Sequence, residues 1–164
     1  MGALFRAPLL RESLMSRRVH VLNGPNLNLL GQREPHLYGS RTLADVEALC
    51  RAAAGRHGFD LDFRQTNREY EMIDWIQAAR KDAGLVINPA GFSHFSAPVL
   101  DALKMCEGPV VEVHISNIHK RTVEADWRGH SIMSAGVTGV IAGLGIQGYV
   151  LALDYLALAL AGEV

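Results

Sequence analysis

Three segments of the sequence carry residue types that act in acid/base chemistry and in the binding of anions. They are residues 23–40 (NGPNLNLLGQREPHLYGS), residues 88–103 (NPAGFSHFSAPVLDAL) and residues 112–117 (EVHISN). The first segment is rich in Gly and Pro and far longer than the roughly two to six residues of an ordinary strand-to-helix loop. Its length is typical of a lid or binding loop that hinges at Gly31 and Gly39, although an irregular surface loop has the same composition.

Arg33 and Tyr38 lie on this long loop and form a candidate base. A phenol with an ordinary pKa of about 10 is a poor base at neutral pH, but a neighbouring guanidinium favours the phenolate and lowers that pKa. We therefore expect Arg33 to hold Tyr38 in its basic form. The first loop lacks the glycine patterns GxGxxG and GxxxxGK[ST], which argues against a nucleotide or flavin site.

Glu112 and His114 are two residues apart at the end of an apolar run. Because side chains alternate along a strand, both point to the same side of a sheet, where the carboxylate can orient the imidazole and select its tautomer. The alternative is a hydrogen-bonded core histidine with no chemical role. A tyrosinate base and a histidine acid together suit an elimination that removes a proton and expels a hydroxyl group.

Asn88 and His94 precede a predicted helix start, whose free N–H groups favour an anion such as a carboxylate. Taken alone, His94 also fits a surface or capping histidine. The segment 88–103 therefore predicts an anion-binding site next to the candidate acid and base.

Five short apolar runs alternate with helix-period segments, which predicts a parallel sheet covered by helices. The predicted strands are residues 19–22, 61–64, 85–87, 110–115 and 137–142. Helices are predicted around residues 43–53, 72–79 and 99–103 and from about Ile146, with Thr42 and Ser96 as caps. We expect an α/β, flavodoxin-like doubly wound fold with a five-stranded parallel sheet of order 2-1-3-4-5 and helices on both faces.

This strand order predicts where a ligand binds. In doubly wound sheets the ligand lies beyond the carboxyl ends of the strands, at the switch point between the first and third strands. The chain after Leu22, after Ile87 and after Val113 is expected to converge there, and these are the three segments that carry the polar residues.

The length and composition of the chain restrict the classes of protein to which it can belong. A chain of 164 residues predicts one domain, over residues 18–164. Residues 1–17 are interpreted as a disordered N-terminal tail, with a translation start at Met15 as the alternative. Sixteen Lys and Arg against seventeen Asp and Glu give a net charge of -1, without the basic excess typical of nucleic-acid binding. The glycine-rich stretch 136–153 is interpreted as a buried strand and a helix rather than a membrane span.

Cys50 and Cys106 each fall in an apolar helical pattern and lack disulfide or zinc-ligand spacing. We interpret them as buried free thiols of a cytoplasmic protein that contacts neither membrane nor nucleic acid.

The segments stand within longer motifs that carry a family resemblance: NGPNLNLLGQREPHLYG, EVHISNIHKR and GVIAGLGIQGYVLAL. They resemble the type II 3-dehydroquinate dehydratases over residues 18–160, and the first two motifs are the most specific. The resemblance implies a hydro-lyase that converts 3-dehydroquinate to 3-dehydroshikimate and water, in the shikimate pathway or in quinate breakdown. It also implies that neither a metal nor an organic cofactor is used, and that trimers associate into a dodecamer.

Position by position, the resemblance implies the roles of the site residues. Tyr38, held as tyrosinate by Arg33, takes a proton from the carbon next to the ketone. Asn26 holds a water that stabilises the enolate oxygen, and His114, oriented by Glu112, protonates the departing hydroxyl. The implied binding residues are Asn88 and the N–H groups of Ile115 and Ser116 for the carboxylate, His94 and Arg128 for the ring hydroxyls, and Asp101 for a neighbouring subunit's site.

The sequence departs from the family pattern at several positions, including the stretch 90–95 and Arg68 and Tyr70. Phe95 adds bulk beside His94, the segment 121–128 is longer than usual, and Ile132 replaces a frequent Tyr. Two alternatives follow: a catalytically weakened oligomeric scaffold, or a flavodoxin-like protein that binds a small molecule. The sequence provides no Schiff-base candidate, because Lys81, Lys104 and Lys120 all lie away from the predicted strand ends.

Overall fold

A five-stranded parallel sheet forms the centre of the protein, whose computed structural model describes residues 17–32 and 40–164. The strands are β1 (Arg18–Asn23), β2 (Asp60–Gln65), β3 (Gly84–Asn88), β4 (Val110–His114) and β5 (Gly139–Ala142). Their order is β2-β1-β3-β4-β5, and every neighbouring pair is parallel, which confirms the predicted doubly wound sheet. Because β1 pairs with both β2 and β3, the chain reverses its direction of winding between β1 and β3.

Helices cover both faces of this sheet. They are α1 (Leu43–His57), α2 (Glu69–Ala79), the single turn α3 (Phe92–Phe95), α4 (Ala97–Leu103) and α5 (Gln147–Ala161). Short 3₁₀ turns lie at Leu27–Leu29, Ile118–Val123, Asp126–Gly129 and Met133–Gly136. Both predicted caps are present: the Thr42 hydroxyl accepts the N–H of Asp45, and the Ser96 hydroxyl accepts the N–H of Val99.

Two apolar cores result from the alternation of side chains along the strands. Val19 and Val21 of β1 point to the face packed by α1 and α5, whereas Leu22 points to the face packed by α2 and α4. Both cores contain fully buried side chains, such as Val46 of α1 and Ile76 of α2. The sheet is therefore held rigidly on both sides, and its carboxyl edge is a fixed platform for the loops that follow β1, β3 and β4.

Several predicted boundaries were wrong at the ends of elements. β5 begins at Gly139 rather than 137, and β4 ends at His114 rather than 115. The start of α5 at Gln147, with Ile146 as its N-cap, confirms the predicted start near Ile146. β5 is only partly buried because it is the edge strand, so the prediction of a buried strand there was also wrong. His94 precedes the start of α4, as predicted, and it lies within the additional turn α3.

The two cysteines differ in their surroundings. Cys50 is buried in α1, where burial raises its thiol pKa to about 12. Cys106 is half-buried and follows α4, so its predicted helical position was wrong, yet burial still raises its thiol pKa to about 11. Both thiols are free and stay protonated at neutral pH, as expected of structural cysteines.

Two further predictions concern the chain's ends and a membrane. Residues 1–16 of the predicted tail lie outside the described residues. In residues 17–32 and 40–164, every helix is too short or too polar to cross a bilayer, and the stretch 136–153 divides into β5 and the start of α5.

Candidate active site

A cavity of about 390 Å³ opens at the carboxyl ends of β1, β3 and β4. It is lined by residues from the segments 25–30, 88–95 and 114–128. The strand order brings these segments together because β3 lies between β1 and β4. The cavity thus occupies the switch point, where open α/β sheets bind their ligands.

His114 borders this cavity, and Glu112 lies directly behind it. His114 Nε2 is 2.6 Å from Glu112 Oε1, and both side chains are buried. An ionised carboxylate only accepts hydrogen bonds, so Nε2 carries the proton of this bond. The remaining ring nitrogen, Nδ1, is the atom through which His114 can exchange a proton with a bound molecule.

Glu112 is a fully buried carboxylate with three donors. Besides His114, the hydroxyl of Ser131 donates to Oε1, and the hydroxyl of Ser134 donates to Oε2 at 2.8 Å. Burial by itself raises the pKa of Glu112, but the hydrogen bonds from His114 and Ser131, the charge of His114 and the bond from Ser134 outweigh it and leave the pKa below its ordinary value. Glu112 is therefore ionised at neutral pH.

Asn88 is oriented by partners on both sides of its amide. Its Nδ2 donates to Tyr149 Oη at 2.8 Å, and its Oδ1 accepts the N–H of Ala90 at 3.2 Å. Nδ2 has two hydrogens, and Tyr149 uses one of them. The second hydrogen is available to an acceptor in the cavity, such as a carboxylate.

The loop after β1 makes a close approach to the loop after β3. The Gly24 N–H donates to the carbonyl of Asn88 at 2.8 Å, and a Cβ at Gly24 would lie only 2.3 Å from the carbonyl oxygen of Pro89. Asn26 then turns the chain with a left-handed φ of 67°, and its N–H donates to Asn67 Oδ1 at 2.9 Å. The exposed side chain of Asn26 lines the cavity.

His94 lies at the mouth of the cavity in an aromatic cluster. Its Nδ1–H donates to the His130 carbonyl at 2.9 Å, which leaves Nε2 as an acceptor. The Trp127 ring packs edge-on against the His94 imidazole, with the ring centroids 5.0 Å apart. It also packs at a tilt against the Phe95 ring, with the centroids 5.1 Å apart. The guanidinium of Arg128 lies 4.8 Å from the Trp127 ring centroid, so Trp127 supports both polar groups at this end.

Comparison with known proteins identifies the family. The family model described as "Dehydroquinase class II" matches residues 17–157. The chain belongs to this family. It is 63% identical to "3-dehydroquinate dehydratase 2" of Agrobacterium fabrum over 137 residues, which are 83% of this chain and 91% of the relative. It is 58% identical to "3-dehydroquinate dehydratase" of Streptomyces coelicolor, over 92% of this chain and 95% of the relative.

A solved structure gives the same result in three dimensions. The type II dehydroquinase from Propionibacterium acnes superposes with a TM-score of 0.81 at 48% identity, covering 87% of this chain and 97% of that one. The expected family and its flavodoxin-like fold are therefore confirmed for this chain.

The structure brings most of the predicted site residues together in the cavity. The lining contains Asn26, Asn88, His94, His114, Ile115, Ser116 and Arg128. Glu112 lies behind His114, and Asp101 is exposed on α4, outside the cavity lining. Arg33 and Tyr38 lie outside the described residues.

The sequence reasoning missed several residues of the dehydroquinase site. Arg121 lines the cavity, and Trp127 forms part of its mouth. Tyr149, Ser131 and Ser134 support the site through hydrogen bonds. Arg121 ends the motif EVHISNIHKR and Tyr149 lies in GVIAGLGIQGYVLAL, so motif membership was a usable signal for these two.

Proposed function

We propose that this cavity binds 3-dehydroquinate and that its residues eliminate water through an enolate to give 3-dehydroshikimate. As a class II dehydroquinase, the chain is a 3-dehydroquinate dehydratase, a hydro-lyase of the shikimate pathway. The observation that carries the proposal for the site is the Glu112–His114 pair, a buried, ionised carboxylate that orients an imidazole beside the switch-point cavity.

The proposed base is Tyr38, held as tyrosinate by Arg33. The chain has four tyrosines, and the three in the described part of it, Tyr70, Tyr149 and Tyr155, all lie outside the cavity lining. Tyr149 in particular is buried, and burial raises its pKa above the ordinary value, so it remains a neutral phenol. Only Tyr38, on the loop that continues from the cavity wall at Leu30, remains as a tyrosine base.

The elimination begins when Tyr38 takes a proton from the carbon next to the ketone and the C–H electrons form the enolate. Asn26, which turns into the cavity from the loop after β1, holds a water that donates to the enolate oxygen. Preorganised donors of this kind lower a barrier by about 2.7–4 kcal/mol. The enolate then collapses, its electrons form the new C=C bond, and the bond to the C1 hydroxyl breaks.

His114 supplies the proton that lets this hydroxyl leave as water. With Nε2–H committed to Glu112, the proton is delivered from Nδ1. The charge balances because the proton gained by Tyr38 and the proton lost by His114 are exchanged with solvent before the next turnover. An acid positioned in this way contributes about 10²–10⁴-fold to the rate.

The remaining lining residues fit the polar groups of the substrate. The second Nδ2 hydrogen of Asn88 and the backbone N–H groups of Ile115 and Ser116 bind the carboxylate, while His94 and Arg128 bind ring hydroxyls. The exposed position of Asp101, away from its own cavity, supports a role in a neighbouring subunit's site.

We further propose a homododecamer built from trimers, in the cytoplasm. The exposed position of Asp101 outside the cavity lining supports this assembly, because it leaves the carboxylate accessible to a neighbouring subunit. Size-exclusion chromatography with light scattering measures the assembly, and a monomeric mass with full activity contradicts it.

The experiment that tests the function follows the ultraviolet absorbance of the conjugated product when the purified protein meets 3-dehydroquinate. We expect turnover that survives both a metal chelator and borohydride. Borohydride traps an imine formed by a lysine, and all three lysines, Lys81, Lys104 and Lys120, lie outside the cavity lining. Tyr38→Phe keeps the ring and removes the base, so its activity is expected to fall to near background. Near-normal turnover by this variant refutes Tyr38 as the base. Substrate binding without turnover in the wild type favours the scaffold alternative.

A further inference from the structure

The segment from His130 to Ser134, which none of the proposed catalytic roles uses, connects to both histidines of the site. The His130 carbonyl accepts the Nδ1–H of His94 at 2.9 Å, and the Ile132 N–H donates to the Ser93 carbonyl at 2.8 Å. These two bonds tie the segment to α3. Its two serines, Ser131 and Ser134, then donate to the Glu112 carboxylate.

We infer that Ser131 and Ser134 are positioning residues for the proposed acid His114, acting through Glu112. The inference rests on the proposed function of the cavity. Each serine donates to a different oxygen of the Glu112 carboxylate, Ser131 to Oε1 and Ser134 to Oε2. Two donors on the two oxygens fix the rotation of the carboxylate group, and Oε1 is also the atom that accepts from His114 Nε2.

Burial makes these donors necessary. Glu112 is fully buried, and an isolated carboxylate in such surroundings favours its neutral, protonated form. If the serines are removed, Glu112 competes with His114 for the proton that they share, and the imidazole loses its charged partner. An uncharged His114 is a poorer acid for the departing hydroxyl.

Other ionisable groups line the same cavity as His114. His94 comes from α3, Arg121 and Glu124 from the 3₁₀ turn Ile118–Val123 and its end, and Arg128 from the turn Asp126–Gly129. These groups are unchanged in the serine variants. A change in the pH dependence of those variants therefore reports on Glu112 and His114.

Ser134 is the better test position because Ser131 has a second role. The Ser131 hydroxyl also accepts the Met133 N–H at 3.2 Å, so its loss disturbs the backbone, whereas the hydroxyl of the exposed Ser134 has the carboxylate as its partner. Ser134→Ala removes the hydroxyl, and Ser134→Thr restores it. Ser96→Ala is a matched control, because Ser96 also donates to a carboxylate, Glu69 Oε1 at 2.5 Å, but does so between α2 and α4.

The measurement is kcat and KM for 3-dehydroquinate across pH, with the melting temperature of each variant. We expect Ser134→Ala to lower kcat about 10-fold, a part of the roughly 10²–10⁴-fold effect of a positioned acid, with KM little changed. The decline of kcat on the alkaline side moves to lower pH, and Ser134→Thr reverses both effects. Ser96→Ala lowers the melting temperature and leaves the pH profile unchanged.

Two results distinguish failure of this inference from failure of the proposed function. A wild-type protein that turns over 3-dehydroquinate, with a Ser134→Ala profile that superposes on it, overturns the positioning role and leaves the function intact. A loss of melting temperature without a shift of the profile likewise shows that Ser134 is merely structural. A wild type without turnover contradicts the proposed function itself.

Discussion

The hydroxyl of Tyr149 joins Asn88 to Asn23 beneath the cavity floor. Tyr149 Oη is 2.8 Å from Asn88 Nδ2, from which it accepts, and 2.8 Å from Asn23 Oδ1, to which it donates. Asn23 Nδ2 in turn donates to the Arg64 carbonyl at 3.0 Å, so the chain of bonds runs from β2 through β1 and α5 to β3. All three side chains are buried. The orientation of the proposed carboxylate-binding amide is therefore set by a helix that itself lies outside the cavity lining.

Tyr149→Phe keeps the ring and removes the hydroxyl that joins Asn88 to Asn23. Two buried amide groups each lose a partner, and leaving buried polar groups unsatisfied costs about 1–3 kcal/mol. We expect the free energy of unfolding to fall by about that amount, and KM for 3-dehydroquinate to rise more than kcat falls, because Asn88 loses its fixed orientation. Denaturant unfolding and steady-state kinetics measure the two effects. Tyr155→Phe, half-buried on the same helix, is the control, and equal changes in KM for the two variants contradict the role of Tyr149.

Glu112→Gln tests the pH dependence of stability. The pKa of Glu112 in the folded protein lies below its ordinary value of 4.5, so the folded state binds fewer protons than the unfolded state at acid pH. The stabilisation from this group is fully present above pH 4.5 and is lost as the pH falls through the lower, folded-state pKa. The wild type is therefore expected to lose stability more steeply than Glu112→Gln on acidification.

Denaturant unfolding from neutral pH to below pH 4.5 measures this difference. At neutral pH we expect Glu112→Gln to be less stable by about 1–3 kcal/mol, because its NH2 group replaces one carboxylate oxygen and meets either the His114 and Ser131 donors or the Ser134 donor. The other acidic groups with lowered pKa values, Asp45, Asp62 and Glu71, act equally in both proteins. Parallel stability curves for the two proteins contradict the prediction.

Gly24→Ala tests the close approach of the two loops. The new Cβ would lie 2.3 Å from the Pro89 carbonyl oxygen, which is part of the backbone and has little freedom to move. We expect a loss of about 1–3 kcal/mol in the free energy of unfolding, typical of overpacking, together with reduced turnover as the cavity wall shifts.

The matched control for Gly24 is Gly55→Ala. Gly55 is exposed in α1, and a Cβ there meets nothing within 4 Å. Alanine is the better helix former, so this variant is expected to gain about 0.5–1 kcal/mol with unchanged kinetics. Thermal unfolding of both variants gives shifts of opposite sign; a stabilised Gly24→Ala shows that the loops can separate without cost.

Arg33→Ala and Arg33→Lys test the proposed activation of Tyr38. Without the guanidinium the phenolate is less favoured, so kcat is expected to fall and its rise on the acid side to move to higher pH. Lysine keeps a charge but not the planar guanidinium, and we expect an intermediate profile. A pH profile of Arg33→Ala that matches the wild type counts against the ion pair, whatever the change in kcat.

Local patterns in the sequence determined the elements and much of the site. The alternation along β4 places Glu112 and His114 on one side because successive strand residues point to opposite faces, and the observed bond of 2.6 Å follows from that spacing. Thr42 and Ser96 cap α1 and α4 because a hydroxyl at that position meets an unpaired N–H in the first turn. The strand order followed from the handedness of the crossovers, and it placed three polar loops at one edge.

Tertiary structure alone decided which distant side chains complete the site. Tyr149 contacts Asn23 across 126 residues and Asn88 across 61, and Ser131 and Ser134 reach Glu112 across 19 and 22. Periodicity reports which face of an element is buried, but not which polar group of another element it meets there. Which polar groups meet depends on how α5 and the turn Met133–Gly136 pack against the sheet. Each buried amide and carboxylate needs a hydrogen-bond partner, and a single segment cannot provide all of these partners.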